Sequence, residues 1–120
     1  MQKNISPHVS IYKFPITAVS SIATRISGFY MSGLYVVGGT AYLFGVDPLK
    51  KYNELSNFSK TIAKYSIITP SVYHSFGGIR HFIWDKYPSL LNNAQVGRSS
   101  FFIFGATALC SFLIENRLKK

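Results

Sequence analysis

Between Ile26 and Val46 the chain has no Asp, Glu, Lys or Arg. At a rise of about 1.5 Å per residue, an uncharged run of that length crosses a hydrocarbon core of ~30 Å. In such a medium every backbone polar group must be satisfied within the protein, as a helix does within itself, and a spanning helix is expected. Its small residues (Ser27, Gly28, Ser32, Gly33, Gly38, Gly39) provide a surface on which other helices can pack closely.

Two further apolar runs follow. Thr61 to about Trp84 contains Pro70, which a spanning helix tolerates when neighbours meet the freed carbonyl, so a kink near Ser66 is expected in place of a break. Phe101 to Ile114 is short and must borrow Ser99, Ser100 and Glu115 to span. Thr17 is the expected cap of the first helix, Asp47-Pro48 its stop, and Lys86-Tyr87-Pro88 the end of the second. Leu49 to Lys60 and Ser89 to Arg98 read as loops. The expected fold is an all-α integral membrane bundle of three transmembrane helices, at about 20–46, 61–85 and 97–116. They form one domain over 1–120, led by an N-terminal segment to Phe14 on the membrane surface.

The composition agrees with this plan. Only 14% of residues are charged, against about 25% in soluble domains. The net charge of +9 is carried largely outside the apolar runs, at positions such as Lys3, Lys50, Lys86 and Lys120. No basic face of a soluble fold results, which excludes a nucleic-acid binder; lipid headgroups or an acidic partner suit the pattern. Positive charge is close to balanced between the two sides and does not orient the chain. The N-terminus has neither a signal-peptide pattern nor an Arg/Ser-rich presequence, so no cleavage is expected. Cys110 has no cysteine to pair with and is expected to be buried and inert.

Ionisable groups enter the second apolar run between Tyr73 and Asp85, and within a membrane these face a partner, a cofactor or water. His74 and His81, seven residues apart, share one helix face. Gly77 and Gly78 clear space for another helix or a flat group such as a porphyrin. A neutral imidazole there is suited either to ligating haem iron or to hydrogen bonding across helices. His81 cannot be a second ligand to the same iron, because two helical turns set it about 10 Å from His74, and His8 lies in the surface segment. A bis-histidine haem would therefore take its other ligand from a second chain, in a heteromer or a symmetric homodimer. Arg80, His81 and Arg25 are placed to meet haem propionates, or the arginines to snorkel to headgroups. Ser21 and Arg25 are suited to quinone carbonyl oxygens, with helix packing the other use for the serine; Asp85 is in reach of either arginine.

Three motifs now stand in order: Ser6-Pro7-His8-Val9-Ser10-Ile11-Tyr12, Ser21-Ile22-Ala23-Thr24-Arg25-Ile26-Ser27-Gly28, and His74-Ser75-Phe76-Gly77-Gly78-Ile79-Arg80-His81 with Asp85. They resemble the signatures of the cytochrome b556 subunit of succinate dehydrogenase, the larger membrane anchor of respiratory complex II. The resemblance runs from about Ser6 to Asp85, and the third helix matches only in character. It implies that His74 is an axial ligand of haem b, with the small anchor subunit giving the other histidine. It further implies that Ser21 and Arg25 contact ubiquinone near the iron-sulfur subunit, with Ile22 and Phe14 lining the pocket and Asp85 in its outer shell. Arg25, Arg80 and His81 would lie near the propionates. A flavoprotein subunit would complete an oxidoreductase in the mitochondrial inner membrane or a bacterial plasma membrane, the N-terminus facing the matrix or cytoplasm. Many members carry histidine where this chain has Thr24. The rival readings are a structural scaffold without a redox centre and the anchor of a quinol:fumarate reductase.

Overall fold

A computed structural model describes Ile11 and residues 13–118. Three long helices dominate: α1 (Ile16–Leu43), α3 (Asn57–Lys86) and α4 (Asn93–Leu118), with a short α2 (Pro48–Asn53) after α1 and a 3-10 turn at Pro88–Leu90 after α3. α3 packs on both α1 and α4, which also touch each other. On α3 and α4, Tyr73 stacks on Phe104 while Arg80, further along, reaches back to Ser100, so these two run antiparallel. Gly97 lies beside Ile16, at the start of both helices, so α1 and α4 run parallel. The starts of α1 and α4 therefore share one end of the bundle with the last turns of α3.

The helices run further than the apolar runs alone suggest. α1 starts at Ile16 after Pro15, with no side-chain cap, so Thr17 falls inside the first turn. It ends at Leu43, followed by Gly45 at φ 81°, a left-handed conformation that suits glycine. Asp47-Pro48 is a start and not a stop: the Asp47 carboxylate accepts from the backbone N–H groups of Leu49 and Lys50, and Pro48 occupies the first turn of α2, where it forfeits no helical hydrogen bond. The expected loop from Leu49 to Lys60 thus holds a helix and the first turn of α3, capped by Ser56. Pro70 lies within α3 without breaking it, and α3 ends at Lys86 as expected.

The third apolar run differs most from expectation. The Asn92 side chain accepts from the N–H of Gln95 and starts α4 at Asn93, leaving a second loop much shorter than Ser89 to Arg98. Among the described residues, α4 is the helix long and apolar enough by composition to cross a membrane. Glycine, serine and tyrosine dilute α1, while Lys60, Lys64, Arg80, Asp85 and Lys86 interrupt α3. At 28 and 30 residues both are nonetheless longer than the roughly 20 residues a crossing requires. The expected N-terminal surface segment falls mostly outside the described residues, as do His8 and most of the first motif.

The bundle is apolar on the outside and polar within. Its buried side chains include Ser20, Ser27, Arg80, Ser100, Thr107, Ser111 and Glu115, beside the hydrophobic Tyr73 and Ile103. Phe29, Phe44, Phe82 and Phe102 are each at least 75% exposed. In water this would forgo about 1.5–3 kcal/mol for each large apolar side chain left unburied, whereas lipid exacts no such cost. Many of the hydroxyls satisfy themselves within their own helix: Thr24 on Ser20, Ser32 on Gly28, Thr40 on Val36, Ser71 on Ile67 and Ser75 on Ser71, each donating to the carbonyl one turn back. Cys110 is a free thiol and half-buried, not fully enclosed as expected.

Candidate functional site

The crossing of α1 and α3 is built from small residues. A Cβ on Gly77 would lie 2.9 Å from Thr24 Cγ2, and one on Gly28 would lie 2.6 Å from His74 Cε1. Both distances are far inside van der Waals contact, so glycine is what lets these two helices meet. The space at Gly77 is therefore taken by α1, whereas Gly78 faces open space.

His74 emerges at this crossing. Its Nδ1 is 3.0 Å from the Thr24 carbonyl oxygen and 3.4 Å from Ser27 Oγ. A carbonyl only accepts, so Nδ1 carries a proton, and in the neutral ring Nε2 then keeps the lone pair. Ser27 Oγ donates to the same carbonyl at 2.8 Å, which leaves its own lone pairs to face the ring. The side chain is exposed, and Nε2 makes no hydrogen bond among the described residues. An imidazole pinned through Nδ1 to a carbonyl, with Nε2 open, is the tautomer and orientation that metal-bound histidines adopt. The described residues contain no group of three or more His, Cys, Asp or Glu able to hold a metal by themselves.

Ser21, Arg25 and Gly28 stand at i, i+4 and i+7, one stripe of α1. Gly28 touches the His74 ring, so Arg25 sits on that same stripe about 4.5 Å along the axis. Arg25 is exposed, Ser21 half-buried, Ile22 43% exposed and Phe14 61% exposed. All four lie toward the end of the bundle where α3 carries Arg80, His81 and Asp85. His81 is exposed and meets the edge of Trp84, ring centroids 5.5 Å apart. Asp85 is exposed and, among the described residues, forms no ion pair with Arg25 or Arg80.

Arg80 points elsewhere. It is 7% exposed, donates from Nη1 to Ser100 Oγ at 3.1 Å and lies 4.6 Å over the Trp84 ring. Six residues of helix rotate it by about 120° from His74, toward α4, while the seven to His81 return to nearly the same face. Its partner Ser100 carries no signal in the sequence, and neither does the backbone carbonyl of Thr24. Tyr73 was also missed as a contact residue: its hydroxyl donates to the Ser20 carbonyl at 3.1 Å and joins α1 to α3 next to His74.

The family profile of the succinate dehydrogenase/fumarate reductase transmembrane subunit matches residues 1–114. A mitochondrial succinate dehydrogenase cytochrome b560 subunit of Caenorhabditis briggsae is 31% identical over 95% of this chain and 65% of its own length. One from Dictyostelium discoideum is 32% identical over 88% of this chain and 57% of its own. A mitochondrial inner membrane protein of Saccharomyces cerevisiae is 29% identical over 94% of this chain and 63% of its own. The chain thus spans about three fifths of the length of the curated relatives it matches. With a profile match over nearly all its residues, the chain belongs to the family of succinate dehydrogenase/fumarate reductase transmembrane subunits.

Proposed function

We propose that the chain is the larger membrane anchor of a succinate:ubiquinone oxidoreductase, crossing the membrane with α1, α3 and α4. In this reading His74 would help to hold a haem b shared with a smaller anchor subunit, and the chain would form one wall of a ubiquinone site beside the iron-sulfur subunit. The observation that carries it is the His74 imidazole, held through Nδ1 by the Thr24 carbonyl with Nε2 open on an exposed face. The same hydrogen bond would join two helices whether or not Nε2 is used; what supports ligation is that Nε2 lies on an exposed face with no partner among the described residues, within a family of succinate dehydrogenase/fumarate reductase transmembrane subunits. When bound, the haem supplies a one-electron carrier of tunable potential.

The chain's own residues position and hold charge. Thr24 and Ser27 orient the ring, and Gly28 leaves it room. Arg25, as a cation, and His81, through a ring N–H, are the proposed partners of the propionates, at the same end of the bundle as Ser21. Arg80, which the resemblance also puts there, is engaged with Ser100 and Trp84 on the α4 side, and the reading does not depend on it. Ser21 and Arg25 would donate to the carbonyl oxygens of ubiquinone, Ile22 and Phe14 would flank its ring, and Asp85 would lie in the outer shell. Thr24, which stands where the resemblance would put a histidine, spends its hydroxyl on the Ser20 carbonyl, so it contributes its backbone to the site and no titrating group.

Purification through a tag on this chain tests the reading. An iron-sulfur protein, a flavoprotein and a second small membrane protein are expected to accompany it, with a b-type pyridine haemochrome and succinate-dependent ubiquinone reduction. A preparation with the partners but neither haem nor quinone reduction would leave only the scaffold role. Gly28→Ala is a finer probe. The added methyl meets His74 Cε1 and must push the ring off the Thr24 carbonyl. Disturbing an outer-shell contact of this kind costs about 10–100-fold in metal affinity. Haem content of purified Gly28→Ala complex is expected to fall, with a shifted midpoint potential in the fraction that remains.

A further inference from the structure

The Thr24 carbonyl oxygen is crowded. It accepts from His74 Nδ1 at 3.0 Å and from Ser27 Oγ at 2.8 Å. In the register of α1 it also faces the backbone N–H of Gly28, four residues on. Three donors thus converge on an oxygen with two lone pairs. Ser27 is buried between the helices, and its hydroxyl turns back onto its own helix to reach this oxygen.

The Ser27 hydroxyl meets His74 in two ways, and distance decides between them. As a rival donor at 2.8 Å, it draws on the lone-pair density that the Nδ1 proton uses. As a second acceptor it lies 3.4 Å from Nδ1, beyond the roughly 2.7–3.2 Å of ordinary N–H···O bonds. The first contact dominates, so the serine weakens the bond from Nδ1 to the carbonyl.

We propose that Ser27 is a positioning residue that limits how strongly His74 donates to a metal at Nε2, and so holds up the potential of the bound iron. A carbonyl that accepts from Nδ1 raises the basicity of the opposite nitrogen. A more basic imidazole favours the oxidised state of the iron, and hydrogen bonding behind an axial ligand is one of the means by which a protein sets haem potential. A hydroxyl that takes up part of the accepting capacity of that carbonyl moderates the effect. One turn earlier the Ser20 carbonyl likewise accepts one donor from each helix, Tyr73 Oη and Thr24 Oγ1, but the tyrosine hydroxyl has no second polar atom to transmit the change. The inference rests on the proposed ligation by His74 and assigns to Ser27 the potential of the haem, not its presence.

Redox titration of the haem absorbance in purified complex tests this. Ser27→Ala, which introduces the better helix former, is expected to keep the haem and lower its midpoint potential. The ratio of reduced to oxidised haem at a fixed ambient potential should fall about threefold, or ~28 mV for a one-electron couple at about 59 mV per tenfold. Ser27→Thr keeps a hydroxyl that can reach the same carbonyl. Its extra methyl has room, because Ser27 lines a cavity of about 480 Å³ between the three long helices, and it is expected to titrate like wild type. Ser32→Ala removes a hydroxyl that donates to the Gly28 carbonyl one turn further on, and should leave the potential unchanged. An unchanged or raised potential in Ser27→Ala would overturn the inference, as would an equal fall in Ser32→Ala or in Ser27→Thr. Loss of haem from Ser27→Ala alone would make the serine a structural contact and overturn it too. His74→Ala keeps the two readings apart: haem that survives there defeats the ligation, whereas haem lost there with no shift in Ser27→Ala defeats only the tuning.

Discussion

His74→Ala is expected to reduce the b-type haem absorbance of the purified complex to background while the flavin and iron-sulfur signals persist. Removing the imidazole takes away Nε2, the open donor, and also leaves the Thr24 carbonyl without the Nδ1 proton it accepts. The second loss is small, because Ser27 Oγ still donates to that carbonyl. Assembly is therefore expected to survive, and the spectroscopic change should be separable from misfolding. His81→Ala separates the two roles on this face: it removes a proposed propionate partner and not the iron ligand, so it should lower haem content without abolishing the b-type absorbance. An unaltered spectrum in His74→Ala would place the ligand elsewhere and remove the main support of the proposed function.

The second large effect is expected at Arg25. Arg25→Ala should cut succinate-driven ubiquinone reduction about a hundredfold, since a hydrogen bond to a charged group contributes up to about 3 kcal/mol and each 1.4 kcal/mol is tenfold in rate. Succinate oxidation with a soluble acceptor should be nearly unchanged. The split between the two assays distinguishes a quinone-site residue from a structural one, because loss of packing would depress both. Arg25 is exposed on α1, and the atoms that meet at Gly28 and Gly77 belong to His74 and Thr24. Quinone reduction at the wild-type rate would assign Arg25 to headgroup contact.

Much of this was legible along the chain. An uncharged run such as Ile26 to Val46 has few options in hydrocarbon, so helix is dictated locally, and the end of α3 at Lys86 follows from the proline at 88, whereas its start, capped by Ser56, precedes the expected start near Thr61. Helix starts were misjudged where a residue serves two roles. Asp47-Pro48 looks like a terminator, yet the same carboxylate and the same missing N–H initiate α2. The third run was underrated because its serines and glycine count against hydropathy, although Ser99 and Ser100 each donate to the Val96 carbonyl and so are satisfied within the helix.

His74, His81, Arg25 and Arg80 could be named as chemical groups from one dimension, since side-chain identity and helical period need no neighbours. Their directions could not be read that way. That His74 gives up Nδ1 to a backbone carbonyl of α1, and that Arg80 turns to Ser100 on α4, depend on how closely and at what angle three helices cross. The crossing is decided by absent side chains at Gly28 and Gly77, meeting partners far away in sequence. Period and composition describe each helix singly, whereas the choice of which nitrogen stays open arises only when a second helix presents its carbonyl.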